Sequence, residues 1–88
     1  MNINIQDLKK KIIYRSTYRG TKEMDLLLGS FSKKYVNILS EEDLVCLSKL
    51  MDIDDENLYK YNHGLKTTVK INENKVTKLF RDFVYKKI

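Results

Sequence analysis

Between residues 19 and 25 the chain places Arg19, Gly20, Thr21, Lys22, Glu23, Met24 and Asp25 in succession. A guanidinium and a carboxylate four positions apart, with a second carboxylate two residues on, are the groups of charge-assisted recognition: the arginine donates through a planar fork and the carboxylates accept. Arg15 stands one helical turn before Arg19, so two of the three arginines bracket this stretch. Nothing elsewhere in the sequence offers bond-making chemistry. There is no nucleophile with an adjacent base, no glycine-rich phosphate loop and no metal triad. His63 has no cysteine or second histidine near it. The run Asp52, Asp54, Asp55, Glu56 lacks the glycine and the distal glutamate of a calcium loop, so helix capping and a solvated acidic patch account for it. The residue types point to binding rather than turnover.

The elements that must position these groups are helical almost from end to end, with no proline and three glycines in 88 residues. Asn4 caps a first helix carrying Ile5, Leu8 and Ile12, with Lys9, Lys10 and Lys11 facing water, and this helix fades between Tyr14 and Thr17. A second starts near Gly20 or Thr21 and aligns Met24, Leu27, Leu28, Phe31 and Tyr35 in one apolar stripe, which Gly29 interrupts and bends. Ser40 with Asp43 resembles a capping box opening a third, with Leu44, Leu47, Leu50 and Met51 inward. Asp52 or Asp54 caps a short fourth containing Leu58, Tyr59 and Tyr61, and Asn62, His63, Gly64 is its stop. Asn72 caps the last, whose stripe is Val76, Leu79, Phe80, Phe83 and Val84, with Lys86 and Lys87 at the favourable end of its dipole. Residues 65–71 are rich in β-branched side chains, but a lone strand has no partner, and an extended connection is expected. The fold class is all-α, one domain over residues 1–88, a bundle of about five helices.

Hydrophobic residues at 42% and charged residues at 33% suit a folded domain of this size, which is too small for a deep catalytic cleft. The net charge of +5 is unevenly spread, at about +5 over residues 1–39, −6 over 40–56 and +6 over 57–88. With only three arginines among seventeen basic residues, the excess is solvated lysine rather than a nucleic-acid face. The tyrosines are expected at the edges of apolar stripes, with rings packed and hydroxyls wet. Cys46, within an apolar run, is expected as a small core residue and has no partner for a disulfide. No stretch approaches a membrane span and no signal-peptide core is visible, so the expected location is the cytoplasm, or the mitochondrial matrix for a eukaryotic source.

The 19–25 stretch has no evident use within the fold. Extending the second helix back to it stacks Arg19 one turn below Glu23, the poorer orientation for such a pair, worth at most about 0.5 kcal/mol on a surface. Glycine inside a helix start costs up to about 1 kcal/mol, and makes sense if another backbone must come close. Leu26 points away from the stripe of its own helix, an exposed apolar residue among charges. Residues that cost the fold a little and gain it almost nothing are expected to serve a partner's surface.

The run from Tyr14 to Phe31 resembles the signature of the flavinator of succinate dehydrogenase family, small assembly factors that promote covalent FAD attachment. The family's Arg-Gly-x-x-Glu motif falls on Arg19, Gly20 and Glu23, followed as in the family by a hydrophobic residue and Asp25. The similarity continues through Leu39 to Leu44 and Asp52 to Gly64. Two positions depart from it: Ser30 stands where the family commonly has proline, and Tyr61 where it commonly has tryptophan.

The resemblance implies a five-helix bundle that is not an enzyme and holds no cofactor stably. Such a factor binds the flavoprotein subunit of succinate dehydrogenase, or of fumarate reductase, so that a histidine of that subunit can bond to the flavin. It further implies a contact made by Arg19 and Glu23, close approach at Gly20, and flanking roles for Arg15, Asp25, Leu26 and Tyr61. A monomer that inserts in no membrane and binds no nucleic acid is expected. The alternatives are an antitoxin-type interaction module with another client, or a small basic nucleic-acid-binding domain.

Overall fold

A side chain of the right chemistry precedes every helix and bonds into its first turn. In the computed structural model, which describes residues 4–85, Asn4 accepts from the Asp7 amide, Thr21 from Met24, Ser40 from Asp43, Asp54 from Asn57 and Asn74 from Thr77. These bonds open α1 (Ile5–Thr17), α2 (Lys22–Tyr35), α3 (Glu41–Leu50), α4 (Asp55–Asn62) and α5 (Lys75–Asp82). Each satisfies one of the donors that a helix start leaves unpaired. Two starts differ from expectation. The second helix begins after Thr21, leaving Arg19 and Gly20 in the preceding turn. The last is capped by Asn74 rather than Asn72, because Thr77 then falls three residues on and its hydroxyl accepts the Asn74 N–H in return, completing a reciprocal box.

Helix ends follow equally local rules. Gly64 takes φ +71°, and the Leu65 amide donates to the Lys60 carbonyl while the Gly64 amide donates to Tyr61, the paired bonds of a Schellman stop. α5 ends at Asp82, short of the expected Val84, which is 71% exposed. Asn62 of α4 donates to both the Phe80 and Phe83 carbonyls, and Phe83 is extended, φ −75° and ψ 129°. That exit places the Phe83 ring edge-on to Phe31, centroids 5.3 Å apart. Lys86 and Lys87 lie outside the described residues.

The core collects the predicted stripes. Ile12 of α1, Met24, Leu27, Leu28 and Phe31 of α2, Leu44, Leu47 and Leu50 of α3, Leu58 of α4, and Val76 and Phe80 of α5 are buried together with Val36 and Met51. α2 lies against α1, while α3 packs on both α1 and α5, and α4 on α5. Phe31 meets Phe80 edge-on at 5.2 Å, which joins the N-terminal helices to the C-terminal one. Gly29 has an ordinary helical role: a Cβ there would stand 3.0 Å from the Thr17 methyl, so its bareness lets α1 and α2 approach closely. Cys46 is half-buried against the core rather than inside it. Tyr14 and Tyr18, at 65% and 70% exposure, lie against each other rather than on the core, and Tyr61 inverts the expectation, its hydroxyl being buried.

Residues 65–71 form no strand, and Asn57 is what holds the connection in place. Buried on α4, its side-chain carbonyl accepts the Thr68 amide at 2.7 Å and its NH₂ donates to the Thr68 hydroxyl and to Asp54. The Asn57 side chain and then its backbone N–H hold the Asp54 carboxyl below its ordinary pKa. The folded state therefore favours ionised Asp54: this stabilisation is present above the unfolded carboxyl's pKa and lost as pH falls through the lower folded value. Asp54→Asn should accordingly lower stability at neutral pH and leave low-pH stability nearly unchanged, which flattens the acid limb of the stability–pH curve read by urea unfolding across pH. Asn57→Ala should cost about 1 to 3 kcal/mol and speed hydrogen exchange at the Thr68 amide.

Candidate functional site

Because α2 starts at Lys22, Arg19 belongs to a turn and not to a helix, and it cannot stack beneath Glu23 as the periodicity suggested. The turn sends it inward. Its Nε donates to Asp55 Oδ1 at 2.8 Å, Nη1 to the Met51 carbonyl at 2.8 Å and Nη2 to the Ile53 carbonyl at 2.6 Å. The side chain is only 11% exposed and that of Asp55 27%. Met51 and Ile53 follow the end of α3, where carbonyls lack helical partners and the dipole is negative, so a cation is doubly favoured there. Arg15 makes a parallel attachment one turn earlier, to Asp52 and to the Ser48 carbonyl. The acidic middle of the chain thus supplies the counter-charges of the two arginines. The expectation that Arg19 gains the fold almost nothing is overturned: three bonds from one mostly buried guanidinium tie the α1–α2 turn to the α3–α4 turn.

Gly20 likewise has an internal reason. Its φ of +131° lies where side-chain-bearing residues are strained, and an added Cβ would face Asp55 at an ordinary 3.7 Å, so backbone conformation rather than space demands glycine. Asp25 reaches back from the first turn of α2 to accept the Arg19 amide N–H. Arg19, Gly20, Thr21 and Asp25 therefore build a turn whose shape is set from both sides.

Glu23 is what that turn presents. It is exposed in the first turn of α2 and, among the described residues, has no hydrogen bond or ion pair, although a helix N-terminus suits its charge. Two recesses flank it. One, of about 240 Å³, is shared with Leu27, Asn62, His63 and the segment Phe83 to Tyr85. The other, of about 360 Å³, is formed with Lys22, Leu26 and Tyr85. Leu26 is half-buried and borders this second recess. Val84 and Tyr85 were missed as neighbours of Glu23. The sequence puts them about sixty residues away, Val84 on an expected helical stripe, and only the exit of the chain after Asp82 brings them here. His63 stacks on Tyr59 at 4.0 Å and its Nδ1 lies 2.9 Å from the Tyr59 carbonyl, a contact in which that nitrogen donates. Tyr61 packs against the core, and it is its successors Asn62 and His63 that line the recess.

The arrangement offers a fixed carboxylate between an apolar residue and an aromatic ring, which suits recognition of a cationic or hydrogen-bond-donating surface. Among the described residues no three His, Cys, Asp or Glu side chains are grouped to hold a metal ion, and no helix is long and apolar enough to cross a membrane. The roles separate by stability. Arg19→Ala should cost about 2 to 4 kcal/mol, since it strands Asp55 and two carbonyls, and Gly20→Ala about 1 to 3 kcal/mol of backbone strain. Glu23→Ala should stay within about 0.5 kcal/mol of the parent, all three read by urea unfolding.

A family model described as flavinator of succinate dehydrogenase matches residues 10–84. The chain is similar to the succinate dehydrogenase assembly factor 2, mitochondrial, of Debaryomyces hansenii, 41% identical over 54 residues that cover 60% of this chain and 38% of that protein. Its counterpart in Dictyostelium discoideum is 37% identical over 57 residues, 65% of this chain and 40% of that protein. The succinate dehydrogenase assembly factor 2-A, mitochondrial, of Drosophila willistoni is 30% identical over 78 residues, covering 86% of this chain and 50% of that protein. The chain spans half or less of the length of these relatives, and no solved structure matches it. The family match runs from within α1 to beyond α5 and takes in the whole of the Arg19–Asp25 turn, and on that ground the chain belongs to the flavinator of succinate dehydrogenase family.

Proposed function

We propose that this chain is an assembly factor that binds the flavoprotein subunit of succinate dehydrogenase, or the related subunit of fumarate reductase, and promotes its covalent attachment to FAD. The observation that carries the reading is Glu23, an exposed carboxylate with no hydrogen bond or ion pair among the described residues, standing on a turn that Arg19, Gly20 and Asp25 shape. Family membership supports this choice of client, and the exposed position of Glu23 supports this choice of contact. Glu23 accepts hydrogen bonds from the client, Leu26 and Tyr85 shield that contact from water, and Arg19 acts from behind as a positioning residue. Arg15 works in the same way through Asp52, and Gly20 through the shape of the turn.

Covalent attachment takes place on the client, where a histidine of the flavoprotein bonds to the flavin, so the factor needs no acid, base or cofactor site of its own. Its contribution is to hold the client's flavin site in a reactive arrangement, which lowers the barrier by orientation and preorganised charge. Tyr61, inward-facing, contributes by seating the end of α4, from which Asn62 and His63 reach the recess beside Glu23.

A charge-assisted hydrogen bond is worth about 1.5 to 3 kcal/mol, so Glu23→Ala should bind the flavoprotein about 10- to 100-fold more weakly while melting with the parent. Cells carrying it in place of the parent should lose flavin fluorescence on the denatured flavoprotein band. Full fluorescence on that band, with Glu23→Ala present at parental levels, would remove the proposed contact.

A further inference from the structure

On the outer side of the α1–α2 pair, away from the arginine attachments, runs a groove of about 470 Å³, walled by α1 from Gln6 to Tyr18 and by Val36 and Asn37 where α2 ends. Its floor is apolar, with Val36 buried and Ile13 half-buried. Thr17 lines both this groove and an adjoining recess of about 200 Å³ that reaches Leu26 and Lys33, so the two form one track from the end of α2 towards the Glu23 turn. The rings of Tyr14 and Tyr18, the two strongly exposed tyrosines, lie against each other with centroids 4.7 Å apart on its edge. Aromatic surface left in water beside an apolar floor marks a contact site.

Charge says what kind. Lys9, Lys10 and Lys33 stand along the track, and none of them is in an ion pair among the described residues. The one carboxylate lining either part is Asp25, which is already engaged with the Arg19 amide. From Gln6 to Tyr18 is about 18 Å of helix, the reach of about five or six extended residues. A bilayer would call for a broad, continuous apolar face, and the apolar surface in the groove is confined to Ile13, Val36 and the tyrosine pair. A nucleic acid would call for arginine, the commonest base and phosphate ligand, and the track is lined by lysine alone.

We propose that the α1–α2 track binds an extended acidic segment of a partner protein, its carboxylates on Lys9, Lys10 and Lys33 and one aromatic or aliphatic side chain seated over Ile13 and Val36 beside the tyrosine pair. Both parts are required: the lysines give attraction and orientation, and the floor gives the desolvated anchor that charge alone lacks. Glu23 does not line this surface and Leu26 alone borders both, so substitutions at Lys9, Lys10, Tyr14 and Tyr18 test it apart from the Glu23 contact.

The test is fluorescence polarisation of a fluorescein-labelled, glutamate-rich peptide carrying one phenylalanine and one leucine, titrated with the whole chain. Saturable binding is expected, weakened about tenfold or more by Lys9→Glu with Lys10→Glu and by Tyr14→Ser with Tyr18→Ser, and unchanged by Lys66→Glu with Lys78→Glu, with thermal unfolding of all variants near the parent. Glu23→Ala should bind this peptide normally. The proposal is overturned if an all-glutamate peptide binds as tightly, if the Lys66 and Lys78 pair matters as much as Lys9 and Lys10, or if anionic vesicles or single-stranded RNA displace the peptide at lower concentration than unlabelled peptide does. It is equally overturned if sedimentation shows a self-associated chain that the Tyr14 and Tyr18 substitutions dissociate.

Discussion

The Arg19 guanidinium is surrounded by acceptors that no other part of the fold satisfies: the carbonyls of Met51 and Ile53, where α3 has ended, and the carboxylate of Asp55, where α4 has just begun. A charge held at 11% exposure survives only if its donors are used, and here three bonds run to a single stretch of chain. The bond network decides where the two turns lie relative to one another. That in turn sets the direction in which α2 leaves and the angle at which α4 enters. Arg15, bound to Ser48 and Asp52, repeats the attachment from the preceding turn of α1. Through this pair the charge segregation of the chain becomes structural, a basic N-terminal third closing on an acidic middle.

Around that constraint the rest packs in a consistent way. Bare Gly29 lets α2 settle on Thr17 of α1, Phe31 turns its ring to Phe80 and Phe83, and Asn57 and Asn62 tie the irregular segments on either side of α5. The two asparagines matter because their side chains pair backbone groups of the connection and of the α5 end that no helix bond satisfies. Asn62 also ends α5 and turns the chain towards Glu23. The recess beside that carboxylate is thus a consequence of how the C-terminal helix is stopped.

The motif divides into inward and outward members. Arg19 and Asp25 act on the turn, Gly20 permits its shape, and Glu23 alone projects from it. A recognition group on a rigid support loses little entropy when a partner binds, and this gives a physical reason for joining three structurally committed residues to one carboxylate that is unpaired among the described residues. The lysine-lined track on the far side of α1 shares the same support without sharing its chemistry.

Helical periodicity, the capping residues and the glycine stop at Gly64 are local, and they were legible: five helices, their order and nearly every buried side chain follow from spacings of three and four. Asn72 was the expected cap of the last helix, and Asn74 takes that place because Thr77 stands at the reciprocal position. The Arg19–Glu23 spacing was read as a contact for a partner, and for Arg19 the fold has a use of its own. One-dimensional spacing relates a residue only to others on its own helix, whereas the partners of Arg19 lie more than thirty positions away, and whether an arginine faces a partner protein or its own chain depends on where distant carbonyls end up. The sequence by itself determined which segments are helical and which residues are chemically equipped to recognise. Tertiary structure decided that Arg19, mostly buried, and Arg15, at the surface, bind acceptors of their own chain, that Glu23 has no partner among the described residues, and that Val84 and Tyr85 stand beside it, because each depends on which turns packing brings together.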